Sequence, residues 1–433
     1  MRFNLARTPR LDFGVGSFAS VPALVRGRSV VALVTGGSSF ARDPRRAAFV
    51  DACRSAGSAV LELACAGEPS VEFVDGARSA LADLCAERGA DSREVAVVAV
   101  GGGSAMDAGK AIAAMLPVAA ARDRGEEPPS VQEFLEGVGS RPPTGETAFL
   151  IACPTTAGTG SEATKNAVIS RVGPGGFKKS LRHENYVPAV AVIDPELAVG
   201  CPFSVTAASG LDALTQLIES WTSPASSPVT AALCASGVAA FARSFERALE
   251  DGGDLEARSG MAYAAFLSGV GLANAGLGAV HALASPLGGR FPLPHGVACG
   301  ALLYGATRLN VERLAEGGGA EGAGRAAMTA YARAGYLLAS AGEASGGDAA
   351  LQGAALQGAA LSGAALSGAA LARGLDLLFR ELDRLVALAR LPRFSDYGVT
   401  AGDLAGLAAA AATKTNPVPL SAADYERLLV ACL

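Results

Sequence analysis

Two runs of almost purely apolar, largely β-branched residues, SVVALVTG (29–36) and EVAVVAVGGGS (94–104), each end on glycine, and they constrain this chain more than any other feature. An apolar run without alternation belongs to a strand buried on both faces, and such strands sit in parallel sheets covered by helices. The segments AAFVDACRSAG and ARSALADLCAERG, which fall between them, read as those helices. Strand, helix, strand in this order is the grammar of a doubly wound nucleotide-binding layer. PAVAVIDPELA (188–198) reads as one more strand and a turn; from about residue 204 the chain is Ala/Leu-rich with helical spacing. The expected organisation is an α/β dinucleotide-binding domain with a Rossmann-like parallel sheet over 1–198 and an all-helical domain over 199–433.

Composition narrows the class. With 50% hydrophobic and 18% charged residues among 433, disorder is excluded as the main state. The apolar stretches are interrupted well short of the roughly 18 residues that a membrane span needs, so no transmembrane helix is expected. The opening MRFNLARTPRLDFGVGS lacks the apolar core of a secretory signal, which gives cytoplasm as the expected compartment. A net charge of −5 offers no general field for nucleic acid. Eight cysteines without a CxxC pair read as reduced, mostly buried thiols with no part in the chemistry. The histidines are three: His183, His281 and His295. A five-residue repeat, AALQG then AALSG, occupies 349–371. Five residues advance a helix by about 500°, so its leucines spiral around the axis instead of sharing a face, and a surface insertion without a catalytic role is expected.

Three constellations can carry chemistry. Gly101-Gly102-Gly103-Ser104-Ala105-Met106-Asp107-Ala108-Gly109-Lys110 follows a strand and opens a helix. Glycines let backbone approach a pyrophosphate, and the helix start offers it free N–H groups. Pro154 to Glu162 (PTTAGTGSE) is dense in small hydroxyls suited to phosphate or ribose. Asp212 early in a helix, with His281 and His295 at the two ends of HALASPLGGRFPLPH, makes a plausible ligand set for Zn²⁺ or Fe²⁺ with open positions.

GGGSAMDAGK, PTTAGTGSEAT, AVIDPEL, GLDALTQLIES, HALASPLGGRFPLPHG and the closing TNPVPLSAADYERLL occur in the order found in the iron-containing, or group III, alcohol dehydrogenases, which share their architecture with dehydroquinate synthases. The chain resembles that family over nearly its whole length. The resemblance implies a cleft in which NADH or NADPH reduces a metal-bound carbonyl. It also implies that Gly102, Gly103 and Ser104 hold the pyrophosphate with Asp107 supporting the turn, and that Thr155, Thr156, Thr159 and Ser161 line the nicotinamide side. Asp212, His281 and His295 match three metal ligands, and an even-numbered homo-oligomer, a dimer, fits the family.

Two positions depart from the pattern. Where the family has a fourth ligand, a histidine four residues after the aspartate, this chain has Gln216, a neutral and weaker donor. The site is then three-coordinate in protein or loosely four-coordinate, with Zn²⁺ and Fe²⁺ both open. Ser285 replaces a second histidine near the nicotinamide and cannot titrate near neutral pH, leaving bound water, a serine–water chain or solvent to protonate the alkoxide. A non-catalytic homologue with a decayed site is the alternative from another class. At the first strand end, Gly36, Ser38 and Ser39 leave room for a 2′-phosphate where NAD-preferring relatives carry an aspartate, which favours NADPH. Arg290, between the histidines, and the basic run Lys178 to His183 suit an anionic aldehyde. In detail the chain is most similar to the phosphonoacetaldehyde reductase branch; maleylacetate and simple aldehydes are the alternatives.

Overall fold

A computed structural model describes residues 2–37, 40–119, 128–317, 322–342, 366–413 and 415–433. Ser38 and Ser39 of the expected ribose site, and 349–365 of the repeat, lie outside them.

Among the described residues, six strands make one parallel sheet: β1 (Arg10–Phe13), β2 (Val30–Gly36), β3 (Ala59–Cys65), β4 (Val95–Gly101), β5 (Phe149–Pro154) and β8 (Val190–Ile193), in the order β1-β8-β5-β4-β2-β3. Alternate residues of the central strands feed two separate cores. Val31, Leu33, Val98 and Val100 pack on one face with Phe40, with Val21 of α1 (Val21–Leu24) and with Phe49 and Val50 of α2 (Pro44–Ser55). Val30, Ala32, Val34, Val97 and Ala99 pack on the other against α3 (Val71–Arg88) and α4 (Gly103–Ala119). Both faces are consumed, which is why neither β2 nor β4 alternates in sequence.

From β2 the chain runs outward to β3, then returns to the other side of β2 and builds β4, β5 and β8. The β2/β4 seam is therefore the switch point at whose carboxyl end such sheets bind ligands. The strand ends meet tightly there: a Cβ on Gly101 would stand 3.1 Å from the Gly36 nitrogen and 2.6 Å from the Ala105 Cβ. A short antiparallel hairpin, β6 (Asn166–Arg171) and β7 (Phe177–Arg182), folds over α4.

The helical half is organised around α5 (Phe203–Thr222), in which every residue from Thr206 to Thr222 except Ser209 is buried. Around it stand α6 (Pro228–Glu250), α7 (Leu255–Ala275), α8 (Ala279–Arg290), α9 (His295–Glu316), α10 (Gly322–Gly342), α11 (Gly368–Ala389), α12 (Leu404–Ala410) and α13 (Ala422–Val430). By length and composition alone α6 is apolar enough to cross a membrane. In the fold Cys234, Val238, Phe241 and Phe245 of α6 are buried in the helical core, which accounts for its apolarity. The end of the repeat also differs from a surface insertion: Leu366 is buried in the same core, and Ser367 caps α11 by accepting from the Ala370 N–H.

The two halves touch through bare backbone. Gly160, in the loop after β5, has φ +58°, and a Cβ there would lie 2.4 Å from Gly269 Cα on α7. Only glycine tolerates both that conformation and that approach.

Candidate metal centre and nucleotide cleft

A cavity of about 1260 Å³ opens between the halves, large enough for a dinucleotide and a small substrate together. Gly103, Ser104 and Asp107 of the first turn of α4 line it, as do Thr159, Ser161, Gln216, His281, Ser285 and His295. The helix start and the histidines thus share one space.

The metal cluster is built from three helices. Asp212 sits on α5, His281 on α8, and His295 opens α9 just after Pro294. Asp212 Oδ1 lies 3.3 Å from His281 Nε2 and 3.8 Å from His295 Nε2. A fourth group joins them: Cys299 Sγ is 3.6 Å from His281 Nε2 and 3.7 Å from His295 Nε2, and donor atoms of all four residues lie within 4.8 Å of one another. The sequence reading, which gave cysteine no part, missed it. The signal was present: Cys299 follows His295 by four residues, one helical turn, the same spacing that joins Asp212 to Gln216.

Glu219 orients this cluster. Its Oε2 stands 2.7 Å from His281 Nδ1, and its Oε1 accepts from the Val280 N–H at 2.8 Å. Burial acts to lower His281, yet the facing Cys299, Glu219 and Asp212 hold it well above the usual imidazole range; Glu219 keeps one ring proton at Nδ1, and a cation would take the place of the other at Nε2. Burial pushes His295 down to about 4, so its ring is neutral and free to donate a lone pair near neutral pH. Burial pushes the Cys299 thiol up to about 12. For Asp212 burial acts upward, yet the facing His295 and His281 hold it well below the usual carboxylate range. Asp212 is 1% exposed and its Oδ1 has no hydrogen-bond donor. A buried, ionised oxygen without a donor, ringed by two imidazoles and a thiol, is the environment of a cation. The residues present fit a divalent metal.

Gln216, expected as the weak fourth ligand, is buried with its Oε1 3.1 Å from Ser268 Oγ. Ser285 is exposed to the cavity, its hydroxyl 3.4 Å from the Lys178 carbonyl oxygen. Arg290 requires a correction. It is absent from the cavity wall, and its guanidinium pairs with Asp403 at 2.5 Å at the far end of α8. Lys178, Arg182 and Lys165 line the cavity instead. Lys178 pairs with Glu68, which also accepts from Ser170, and its charge bears on His295. His183 belongs to neither site; its ring accepts from the Asn185 N–H and caps a short turn.

On the nucleotide side Asp107 ties α4 to the following loop, accepting from Ser161 Oγ at 2.5 Å and from the Val168 N–H at 3.1 Å. Lys110 is fully buried and donates to Ser161 Oγ, Thr164 Oγ1 and the Asn166 carbonyl, so it braces the loop and is out of reach of a phosphate. Gly102 packs beside Thr156 and Gly103 beside Thr159, while Thr155 is buried with its N–H bonded to the Gly101 carbonyl. Among the described residues, its two chain neighbours apart, no atom lies within 4 Å of where a Gly36 Cβ would stand.

Residues 8–195 match the family model for iron-containing alcohol dehydrogenases, and residues 206–352 match that family's C-terminal domain. The chain belongs to the iron-containing alcohol dehydrogenase family. It is 42% identical over 216 residues to alcohol dehydrogenase 4 of Saccharomyces cerevisiae, covering 50% of this chain and 53% of that one. It is 37% identical over 215 residues to the 1,3-propanediol dehydrogenase of Klebsiella pneumoniae, covering 50% and 52%. The matched stretch thus spans about half the length of these curated relatives. A solved 1,3-propanediol oxidoreductase, 25% identical, superposes over 100% of both chains with a TM-score of 0.77. The architecture, a parallel six-stranded sheet followed by a helical half, is the group III alcohol dehydrogenase fold.

Proposed function

We propose that this protein is a metal-dependent, NAD(P)H-linked oxidoreductase that reduces a short anionic aldehyde to its alcohol, phosphonoacetaldehyde being the first candidate. The observation that carries the reading is the buried Asp212–His281–His295–Cys299 cluster, whose histidines open onto the same cavity as the N-terminus of α4. Asp212, His281, His295 and Cys299 would hold a divalent cation, which would supply a Lewis acid for a carbonyl oxygen, and a reduced nicotinamide would supply the hydride.

The chain's own residues prepare that event. Glu219 fixes the His281 tautomer, and Asp212 supplies the charge that keeps a cation in an apolar bundle. The N–H groups of the first turn of α4 face an incoming pyrophosphate. Space beside Gly36 suits a 2′-phosphate and favours NADPH. Ser285, exposed on the cavity wall, can pass a proton from water to the product oxygen but cannot be its source. Lys178 and Arg182 line the wall where Arg290 does not, and an anionic head would draw Lys178 in competition with Glu68, its present partner.

The test is cofactor oxidation by metal-reconstituted protein with phosphonoacetaldehyde, other anionic aldehydes and neutral aldehydes, each with NADH and NADPH. The expected result is turnover, with a Lys178→Met variant raising KM for the anionic substrates only. Turnover of neutral aldehydes alone would remove the anionic substrate, and no turnover of any would remove the enzymatic reading.

A further inference from the structure

The family's fourth ligand is missing at position 216, yet the cluster still has four donors. We propose that Cys299 is the fourth protein ligand, a thiolate one turn along α9 replacing the imidazole that α5 lacks, and that the resulting Asp–His–His–Cys site selects zinc over iron. The proposal rests on the metal reading above and deepens it.

Geometry supports it first. With metal–nitrogen and metal–oxygen bonds of about 2.0–2.1 Å, a metal–sulfur bond of about 2.3 Å and angles near about 109°, a tetrahedral site separates sulfur from nitrogen by about 3.6 Å and nitrogen from oxygen by about 3.3 Å. The Sγ to Nε2 distances of 3.6 and 3.7 Å and the Oδ1 to His281 Nε2 distance of 3.3 Å match those values; only the 3.8 Å from Oδ1 to His295 Nε2 is longer. Four of the six donor separations are thus at or near tetrahedral values and all six lie within 4.8 Å, and a substrate oxygen would enter as a fifth ligand, an expansion that catalytic zinc sites make.

The neighbouring groups support it second. Asp212 Oδ1 is buried and without a donor, which marks the centre of the four as a place for a cation. Gln216 holds its amide 3.1 Å from the fully buried Ser268 hydroxyl, whose one proton goes to the nearer Ala265 carbonyl at 2.7 Å. The glutamine end is thus turned to Ser268, whereas Cys299 Sγ already faces both histidines.

Ligand chemistry then sets the metal. A thiolate beside two imidazoles and one carboxylate is a softer set than the family's three imidazoles and one carboxylate, and thiolates favour zinc in tetrahedral geometry. Among the eight cysteines, Cys299 is the one placed in the histidine cluster.

The experiment loads metal-free protein with Co²⁺, Zn²⁺ and, under anaerobic conditions, Fe²⁺ and reads absorption and affinity, independent of turnover. Wild type should show a near-ultraviolet thiolate-to-cobalt charge-transfer band and hold zinc more tightly than Fe²⁺. Cys299→Ser and Cys299→Ala should lose the band, and zinc affinity should fall by at least about 100-fold, beyond the roughly 10–100-fold cost of losing a residue that merely orients a ligand. Gln216→Ala should keep the band and bind zinc within a few-fold of wild type. Cobalt binding without the band, or with a band that survives in Cys299→Ser, overturns the cysteine ligand while leaving the metal site standing. A larger loss in Gln216→Ala than in Cys299→Ala returns the role to glutamine. Failure of wild type to bind any of the three metals removes the metal reading itself.

Discussion

Glu219→Gln changes one atom and should weaken metal binding without unfolding the protein. Both carboxylate oxygens are in use, Oε1 by the Val280 N–H at 2.8 Å and Oε2 by His281 Nδ1 at 2.7 Å. An amide has only one oxygen, so its NH₂ must face one of these two partners. The Val280 N–H can only donate, while a neutral imidazole can present a lone pair at Nδ1 instead. The amide oxygen therefore stays on Val280 and the NH₂ turns to His281, moving the ring proton to Nε2. There it faces Asp212 Oδ1 at 3.3 Å. The metal-free variant should accordingly melt within a few degrees of wild type. At alkaline pH the neutral wild-type ring keeps its proton at Nδ1, while the variant keeps it at Nε2, where metal must displace it, and the expected loss is about 10–100-fold in affinity, or roughly 1.4–2.7 kcal/mol. Competition titration against a chromophoric chelator measures it, at alkaline pH where protons compete least for His281. Zinc affinity within about threefold of wild type, with the metal-free melting temperature unchanged, would refute the orienting role of Glu219.

Other substitutions read other parts of the structure. Gly160→Ala should destabilise by about 2 kcal/mol or more in chemical denaturation, because the left-handed backbone and the Gly269 backbone at 2.4 Å leave no room for a methyl group. Glu162 is buried, and that burial raises its carboxyl to about 7, so the folded state holds a proton that the unfolded chain releases. Stability should therefore fall as pH rises from about 4.5 to 7 and level off above, by up to about 3 kcal/mol; Glu162→Gln should flatten that slope in melts taken across the range. Arg290→Ala should leave KM for anionic and neutral aldehydes alike and cost less than about 1 kcal/mol, since its pair with Asp403 is half exposed at the helix end.

The strands were legible because burial on both faces leaves an unmistakable apolar run, and β2 and β4 lie where those runs are. The helical half was legible as texture, but the special place of α5 was not, since only packing reveals that nearly every face of one helix is covered. Asp212, His281 and His295 could be picked out because polar donors are scarce in that half. Cys299 escaped for the opposite reason: a cysteine in an apolar helix looks like core until two histidines are seen beside it. Arg290 was misplaced because nearness in sequence to both histidines says nothing about which way a helix end points. Lys178 was visible only as part of a charged run, and the strand's alternation turns it and Arg182, not Lys179, toward the cavity.

The contact between Gly160 and Gly269 has a consequence for how such a sequence can change. Most tight contacts can be relaxed by a second substitution that shrinks the partner. Here neither residue has a side-chain atom left to remove, and the opposing surfaces are main chain. No mutation at one position can rescue a mutation at the other. The junction between the two halves is a dead end for compensation, and sequence drift must accumulate everywhere around it.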